Sequence, residues 1–337
     1  MITQPTIHPT PLPEFGDDIY AGTMTVRLPG EVLREMAQID VRKAVVAIAS
    51  EWLAIFVAIA LCYFFWHPLL YAIAILFIGG RQHALAVLQH DAAHFRLLPS
   101  KKWNDIVAEV FLAWPILLSN QYFREYHFRH HRHIGTAKDG NRDQYGTHTP
   151  DGELTPNWSF PKPKIHFALW AILRLSGFAG IIYILRSIHR LFTKGTLRYR
   201  LLNLLYYASI LSLILWFHGG QILLLYWFVP LSTWFIFTNL LRIAGEHSAI
   251  ANSHEFYGMT RTTQPSWFDR IFVVPRQISY HLEHHLYPHI PFYHLPDLHV
   301  ELMKDENFRQ QAHVTHTYWQ ILQELVIYLP YAGEMLE

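Results

Sequence analysis

Cys62 is the only cysteine in 337 residues, and it lies inside an apolar run. Disulfide frameworks, zinc ribbons and cysteine-ligated iron–sulfur clusters are therefore excluded together. Charge is also scarce: Asp, Glu, Lys and Arg make up 16% of the chain, and the formal net charge is +1. With no global field to attract a polyanion, nucleic acid is excluded as a partner. No Gly-x-Gly-x-x-Gly follows a strand-like run, and there is no haem-attachment motif and no HExxH, so neither a dinucleotide site nor a zinc-protease helix is built in. The Glu-x-x-His pairs of soluble di-iron bundles do not occur either. The first 40 residues hold prolines and acids but no apolar core. They read as a cytosolic segment and not as a signal peptide. There is no solenoid-period repeat and no low-complexity tract.

What the chain has in quantity is apolar surface and imidazole: 51% hydrophobic residues, 15% aromatic residues and 23 histidines. Four stretches approach the roughly 20 apolar residues that a bilayer crossing needs. They are residues 44–66, interrupted by Glu51; 69–88, with Arg81 and His83 near its end; 201–217; and 222–241. His67-Pro68 separates the first two, His218-Gly219-Gly220 the last two, and neither turn holds Lys or Arg. By the positive-inside rule both turns face outward and both termini are cytoplasmic. The expected fold is an all-α integral membrane protein with four transmembrane helices as two hairpins. Its parts are a cytoplasmic segment 1–43, a hairpin 44–94, a cytoplasmic region 95–200, a hairpin 201–247 and a cytoplasmic region 248–337. Within the middle region, residues 165–185 are apolar but flanked by Arg186, Arg190, Lys194, Arg198 and Arg200, so they read as a helix lying in the interface with its basic residues at lipid headgroups. Residues 135–164, rich in Gly, Pro, Asp and Thr, read as a long functional loop.

The histidines are patterned. His90 and His94 are four apart, while His127, His130 and His131 repeat the spacing of His281, His284 and His285. On a helix, positions i, i+3 and i+4 share a face, so each box aims its imidazoles one way. His247 stands alone just after the fourth apolar run, as His90 follows the second. The topology puts all nine on one side of the membrane. Nine imidazoles exceed what one first-row ion uses, and two ions with four or five each fit the number; nitrogen-only ligation suits iron, copper or zinc. A metal-bound imidazole usually gives its other N–H to a carboxylate or carbonyl. Asp91, Asp143, Glu246 and Glu283 are placed for this, and Arg242 with Glu246, four apart, can pair and hold His247. His83 reads as a core histidine, His133 as a neighbour of the site or a surface residue, and His289, His294 and His299 as loop residues outside it.

The boxes "HDAAH", "HFRHH" and "HLEHH", with "RIAGEH", "RTT" (residues 261–263) and "LYPHIPFYHLPDLH", resemble the membrane fatty-acid desaturase and hydroxylase superfamily over residues 80–299. The resemblance implies a four-span helical fold with a cytoplasmic cap holding a dinuclear, histidine-ligated site. It also implies two iron ions, dioxygen as co-substrate and attack on an unactivated C–H bond of a lipid acyl chain. Carried over by position, the ligands are His90, His94, His127, His130, His131, His247, His281, His284 and His285. Gln277 stands four before His281 where many relatives carry Asn, and its part in supporting the site is in doubt for that reason. With no electron carrier in the motifs, a separate ferredoxin- or cytochrome-type donor is expected on the cytoplasmic face. A lipid or carotenoid hydroxylase or ketolase is the alternative, since "HHRHIG" also resembles carotenoid ketolases. A histidine-rich metal transporter is disfavoured because transport ligands belong at mid-membrane, and these boxes lie at or beyond the ends of the apolar runs.

Overall fold

The computed structural model describes residues 27–134, 139–141, 160–250, 256–258 and 260–327. Helix α1 (Gly30–Met36) leads into α2 (Val41–Phe64), whose first turn is capped by Asp40 accepting the Lys43 N–H at 3.1 Å. Helix α3 (Pro68–Ala93) starts on a proline, tolerated there because the first turn needs no intrahelical donor. It runs past the apolar stretch, so His90 is helical and His94 is its C-cap.

Helix α4 (Lys101–Val107) passes through a wider π-helical stretch (Ala108–Ala113) and a 3-10 turn (Trp114–Ile116), then bends by 92° into α5 (Asn120–His133). Instead of one interfacial helix over residues 165–185 there are two, α6 (Lys164–Leu175) and α7 (Phe178–Thr193), meeting at 55°. Gly177 between them sits at φ 85, a left-handed conformation that ends a helix and that glycine adopts at little cost.

Helix α8 (Leu197–Trp216) and α9 (Gly220–His247) follow. In α9 two π-helical stretches, Leu224–Phe228 and Leu231–Phe235, flank Pro230, which has no N–H to give to the ladder. The remainder folds as α10 (Trp267–Phe272), α11 (His281–Leu286), α12 (Leu295–Leu302), α13 (Glu306–Gln311) and α14 (Tyr318–Leu325). Two small parallel strand pairs join distant segments: β1 (Lys162–Pro163) with β4 (Val326–Ile327), and β2 (Arg261–Thr263) with β3 (His313–Thr315). An all-α reading contains neither, because two or three residues carry no legible period.

Four helices, α2, α3, α8 and α9, are long and apolar enough to cross a membrane, and the count rises to six if each bent pair makes one crossing. Of the residues of α8, Asn203 alone is buried. Leucines all round a helix are stable only where the surrounding medium is itself apolar. Helix α8 leans on α7 and reaches the π-helical stretch after α4 through Tyr206, whereas α9 packs on α3 and α7. The hydroxyls of Tyr206 and Tyr207 reach the Val110 and Trp114 carbonyls at 3.2 and 2.7 Å, and Asn203 donates to the Leu191 carbonyl at 3.1 Å.

Helix α3 is central and almost wholly buried from Ile78 onward. At Gly80 a Cβ would lie 2.7 Å from the Ile271 carbonyl oxygen, so only glycine admits α10 this close. The charges that interrupt the apolar runs find each other here. Glu51 is 1% exposed and accepts from Arg81 Nη1 at 3.0 Å and from Arg276 Nε at 2.6 Å. Arg81 Nη2 also donates to the Ile271 carbonyl at 2.5 Å, and Arg276 Nη2 to the Ala47 carbonyl at 3.0 Å. A lone carboxylate at this depth would be costly; paired twice, it pins the segment before α11 onto α2 and α3. Glu51→Leu strands two guanidinium groups and should cost about 3–5 kcal/mol. The melting temperature in detergent measures it, and an unchanged midpoint would refute this role for Glu51.

Candidate metal centre

Four helices deliver the nine histidines. The last turn of α3 brings His90 and His94, α5 brings the second box, α9 ends on His247 and α11 is the third box. They gather in two groups. His90, His94, His127, His131 and His284 form one, and His130, His247, His281 and His285 the other; within each, one ring nitrogen per residue lies within 4.8 Å of all the rest. Each HxxHH box is thus divided. Its i, i+4 pair goes to one group and the remaining histidine to the other, in opposite senses for α5 and α11.

In the five-histidine group His94 Nε2 is 3.0 Å from His127 Nε2, which is 3.0 Å from His131 Nε2, itself 3.1 Å from His284 Nε2. In the other, His281 Nε2 lies 2.9 Å from His247 Nε2 and 3.1 Å from His285 Nε2. The groups adjoin where the rings of His131 and His285 stack at 4.2 Å.

All nine are buried except His247, which is half-buried. Burial, then the neighbouring His284, holds His94 well below the usual imidazole range. His281 and His285 are lowered in the same way, by burial and then by His247 and His131 respectively. Burial, with His130 and Arg242 beside it, takes His284 down to about 3. These rings are neutral, each with a lone pair to offer. Both nitrogens of His90, and Nδ1 of His127, His131 and His281, are buried without a hydrogen-bond partner among the described residues. Neutral, convergent and under-satisfied nitrogens are what a cation needs from its site.

Among the described residues, two carboxylates, Asp139 and Glu246, reach the nine histidines. Asp139 Oδ1 is 2.9 Å from His130 Nδ1 and also accepts the Asn141 N–H at 2.8 Å. Asp139 was not singled out in the sequence, because it falls in a stretch read as loop with no period to mark it. Arg242 and Glu246 pair at 2.6 Å, and Glu246 Oε2 comes within 3.4 Å of His281 Nε2, so it reaches the third box as well as bordering His247. Asp91 accepts the Phe292 N–H at 2.9 Å, tying the first box to the chain after the third. Both Glu283 oxygens turn away from the nine, one to Thr262 Oγ1 at 2.6 Å and the other to His299 Nδ1 at 2.6 Å. Gln277, at φ 55, accepts the Tyr280 N–H at 3.1 Å through its carbonyl, just where α11 begins. Asp143 lies outside the described residues.

His299 is on a helix, not in a loop: Pro296 falls in the first turn of α12, where proline is compatible. His83 Nδ1 is 2.8 Å from the Val273 carbonyl, and His294 pairs with Asp297 at 3.2 Å. These two, with His133 and His289, stand outside both groups. The "RTT" motif is β2. There Arg261, 0% exposed, donates to Glu324 and to the carbonyls of Ser248 and Ala249, holding the chain just beyond His247. A cavity of about 450 Å³ opens beside the histidines, with His90, His127, His130, His247 and His281 on its wall. Much of the rest is apolar, supplied by α3, α7 and α9.

The fatty acid desaturase family matches residues 65–319, and the chain belongs to that family. It is an oxidoreductase of the desaturase type. It is 26% identical over 288 residues to the dihydrorhizobitoxine desaturase of Bradyrhizobium elkanii, covering 82% of this chain and 78% of that protein. It is 26% identical over 236 residues to the mouse (Mus musculus) sphingolipid delta(4)-desaturase/C4-monooxygenase, covering 65% of this chain and 62% of that protein. A putative enzyme of the same name from Caenorhabditis elegans is 26% identical over 259 residues, 74% of this chain and 63% of that protein. The chain thus spans less than two thirds of the sphingolipid enzymes' own length.

The depressed histidines make a pH prediction. In the unfolded chain they titrate near about 6.5. In the fold, His284 holds out to about 3. Between those values the unfolded state binds more protons, so stability falls as pH drops and is fully present above the upper value. Metal-stripped protein should therefore melt progressively lower below about pH 6.5. A flat melting profile from neutral to acidic pH would contradict it.

Proposed function

We propose that the chain is an oxygen-dependent fatty acyl desaturase that removes hydrogens from an unactivated alkyl chain at a dinuclear iron site. The observation that carries this reading is the pair of histidine groups opening on a largely apolar cavity. His90, His94, His127, His131 and His284 would hold one ion, and His130, His247, His281 and His285 the other. Two irons bound there supply the activation of dioxygen that breaking such a C–H bond requires.

The remaining work belongs to the protein. Asp139 holds Nδ1 of His130 and so turns its Nε2 inward. Glu246, braced by Arg242, instead lies beside the inward-facing Nε2 of His281 and steadies the α9–α11 junction. The cavity wall excludes water and keeps one stretch of methylenes against the histidine face. Electrons arrive from a separate ferredoxin- or cytochrome-type donor at the cytoplasmic face, where both termini and the histidines lie. Hydroxylation is the second reading, in which oxygen is returned to the chain in place of the second hydrogen loss. The sphingolipid relatives are named for both outcomes, desaturase and C4-monooxygenase.

Protein purified in detergent from iron-replete cells should carry about two metal ions. Lipids of a host expressing the chain should contain an unsaturated or hydroxylated product missing from the empty-vector host. His247→Ala should lose product and metal together, whereas His189→Ala on α7 should keep both. Asp139→Asn should cost roughly 10- to 100-fold in metal affinity or activity. Full turnover at one metal per chain would sink the dinuclear reading. Topology has its own check: cysteines placed at His67 and Gly219 should label from outside the cell, and those beside His94 and His131 should not.

A further inference from the structure

One wall of the cavity is a single stripe of α7. Phe178, Ala179, Ile182 and Tyr183 are followed along it by Arg186 and Arg190. Steps of four from Phe178 to Arg190 keep to one helical face and cover about 18 Å of helix. The stripe is apolar in its first half and cationic in its second.

Contacts at both ends set its direction. The apolar end is fixed on α9: a Cβ on Gly180 would fall 2.0 Å from the Ser232 carbonyl oxygen, and the Tyr183 ring lies 5.9 Å from Phe235. The cationic end runs toward the second-box helix, where Gly195, just past α7, lies against the Tyr122 hydroxyl of α5. Arg186 and Arg190 therefore sit toward the histidine end of the cavity, and both are exposed.

The charges lining the cavity do not balance. Arg174, Arg186, Arg190 and Arg242 line it, with Glu246 as the only carboxylate among the described residues. Glu246 is taken by Arg242 at 2.6 Å, and Arg174 turns back to the Trp170 carbonyl at 2.9 Å. Among the described residues, the Arg186 and Arg190 side chains make no ion pair or hydrogen bond. Two fork-shaped donors at the rim of an apolar cavity match a carboxylate or a phosphate.

We propose that Arg186 and Arg190 recognise the head of the substrate, and that the substrate is a single-chain amphiphile with an anionic head. Its alkyl chain lies along the apolar half of α7. The inference rests on the desaturase reading for the meaning of "substrate", but the binding preference is measurable without turnover.

The test is equilibrium binding to metal-loaded protein in a nonionic detergent. Palmitate and hexadecyl phosphate should bind about tenfold or more tighter than hexadecanol. Arg186→Gln/Arg190→Gln should abolish that preference with metal content unchanged, and the double lysine variant should keep part of it. Arg186→Glu/Arg190→Glu should reverse it toward hexadecyltrimethylammonium, an outcome that a merely structural role would not produce. Equal binding of palmitate and hexadecanol, or an unaltered preference in the glutamine variant, overturns the proposal. So does displacement of palmitate by phosphatidylglycerol at equal concentration, which would mean that the arginines hold bilayer headgroups. Metal content and the host lipid profile test the reaction separately, so failure there is told apart from failure here.

Discussion

Imidazole nitrogens buried beyond the reach of water cannot all hold protons, and lone pairs brought to within about 3 Å of one another repel unless a proton or a cation lies between them. Gathering nine histidines is thus a demand on the whole chain. Helix α3 must be long enough to carry His90 past the apolar stretch, α5 must turn sharply from its predecessor, and α11 must be brought back from the far end of the sequence. The short contacts among Nε2 atoms are the mark of that convergence. The rest of the architecture serves to hold these helix ends in place.

The restraints are charged, buried and long-range. Glu51 binds Arg81 and Arg276 together between α2, α3 and the segment before α11, joining residues 225 apart in sequence. Arg261 and Asp91 perform similar ties beyond His247 and beyond the third box. Each contact takes an ionisable group out of water, so each is a liability if its partner is lost. Consecutive left-handed residues at Arg276 and Gln277, with φ of 57 and 55, add local strain at the entry to α11. That strain is carried by the same arginine that grips Glu51, so one residue sets both the anchor and the turn.

The apolar runs and the histidine spacing were legible because they are periodic or long, and local sequence expresses both. Glu51 and Arg81 were visible as interruptions of those runs, but their pairing depends on a third residue, Arg276, that no local pattern connects to them. Helix spacing puts His127, His130 and His131 on one face, yet that face meets two groups and not one, because a face about a hundred degrees wide borders both. Asp139 was hidden in a stretch read as loop, and so was His299, the partner of Glu283, so neither contact was visible where nothing repeats. The break at Gly177 was missed because glycine within an apolar stretch also occurs inside helices. Domain boundaries and sidedness rest on the distribution of Lys and Arg and stay within the proposal.

The division of the two HxxHH boxes has a consequence for any attempt to make the two histidine groups different. Because α5 and α11 each serve both groups, replacing either box removes donors from both groups at once. The helices that serve one group alone are α3, whose His90 and His94 belong to the five-donor group, and α9, whose His247 belongs to the four-donor group. With an ion in each group, as proposed, a whole helix end could be exchanged to tune one ion without the other only at α3 for the five-donor group and at the end of α9 for the four-donor group.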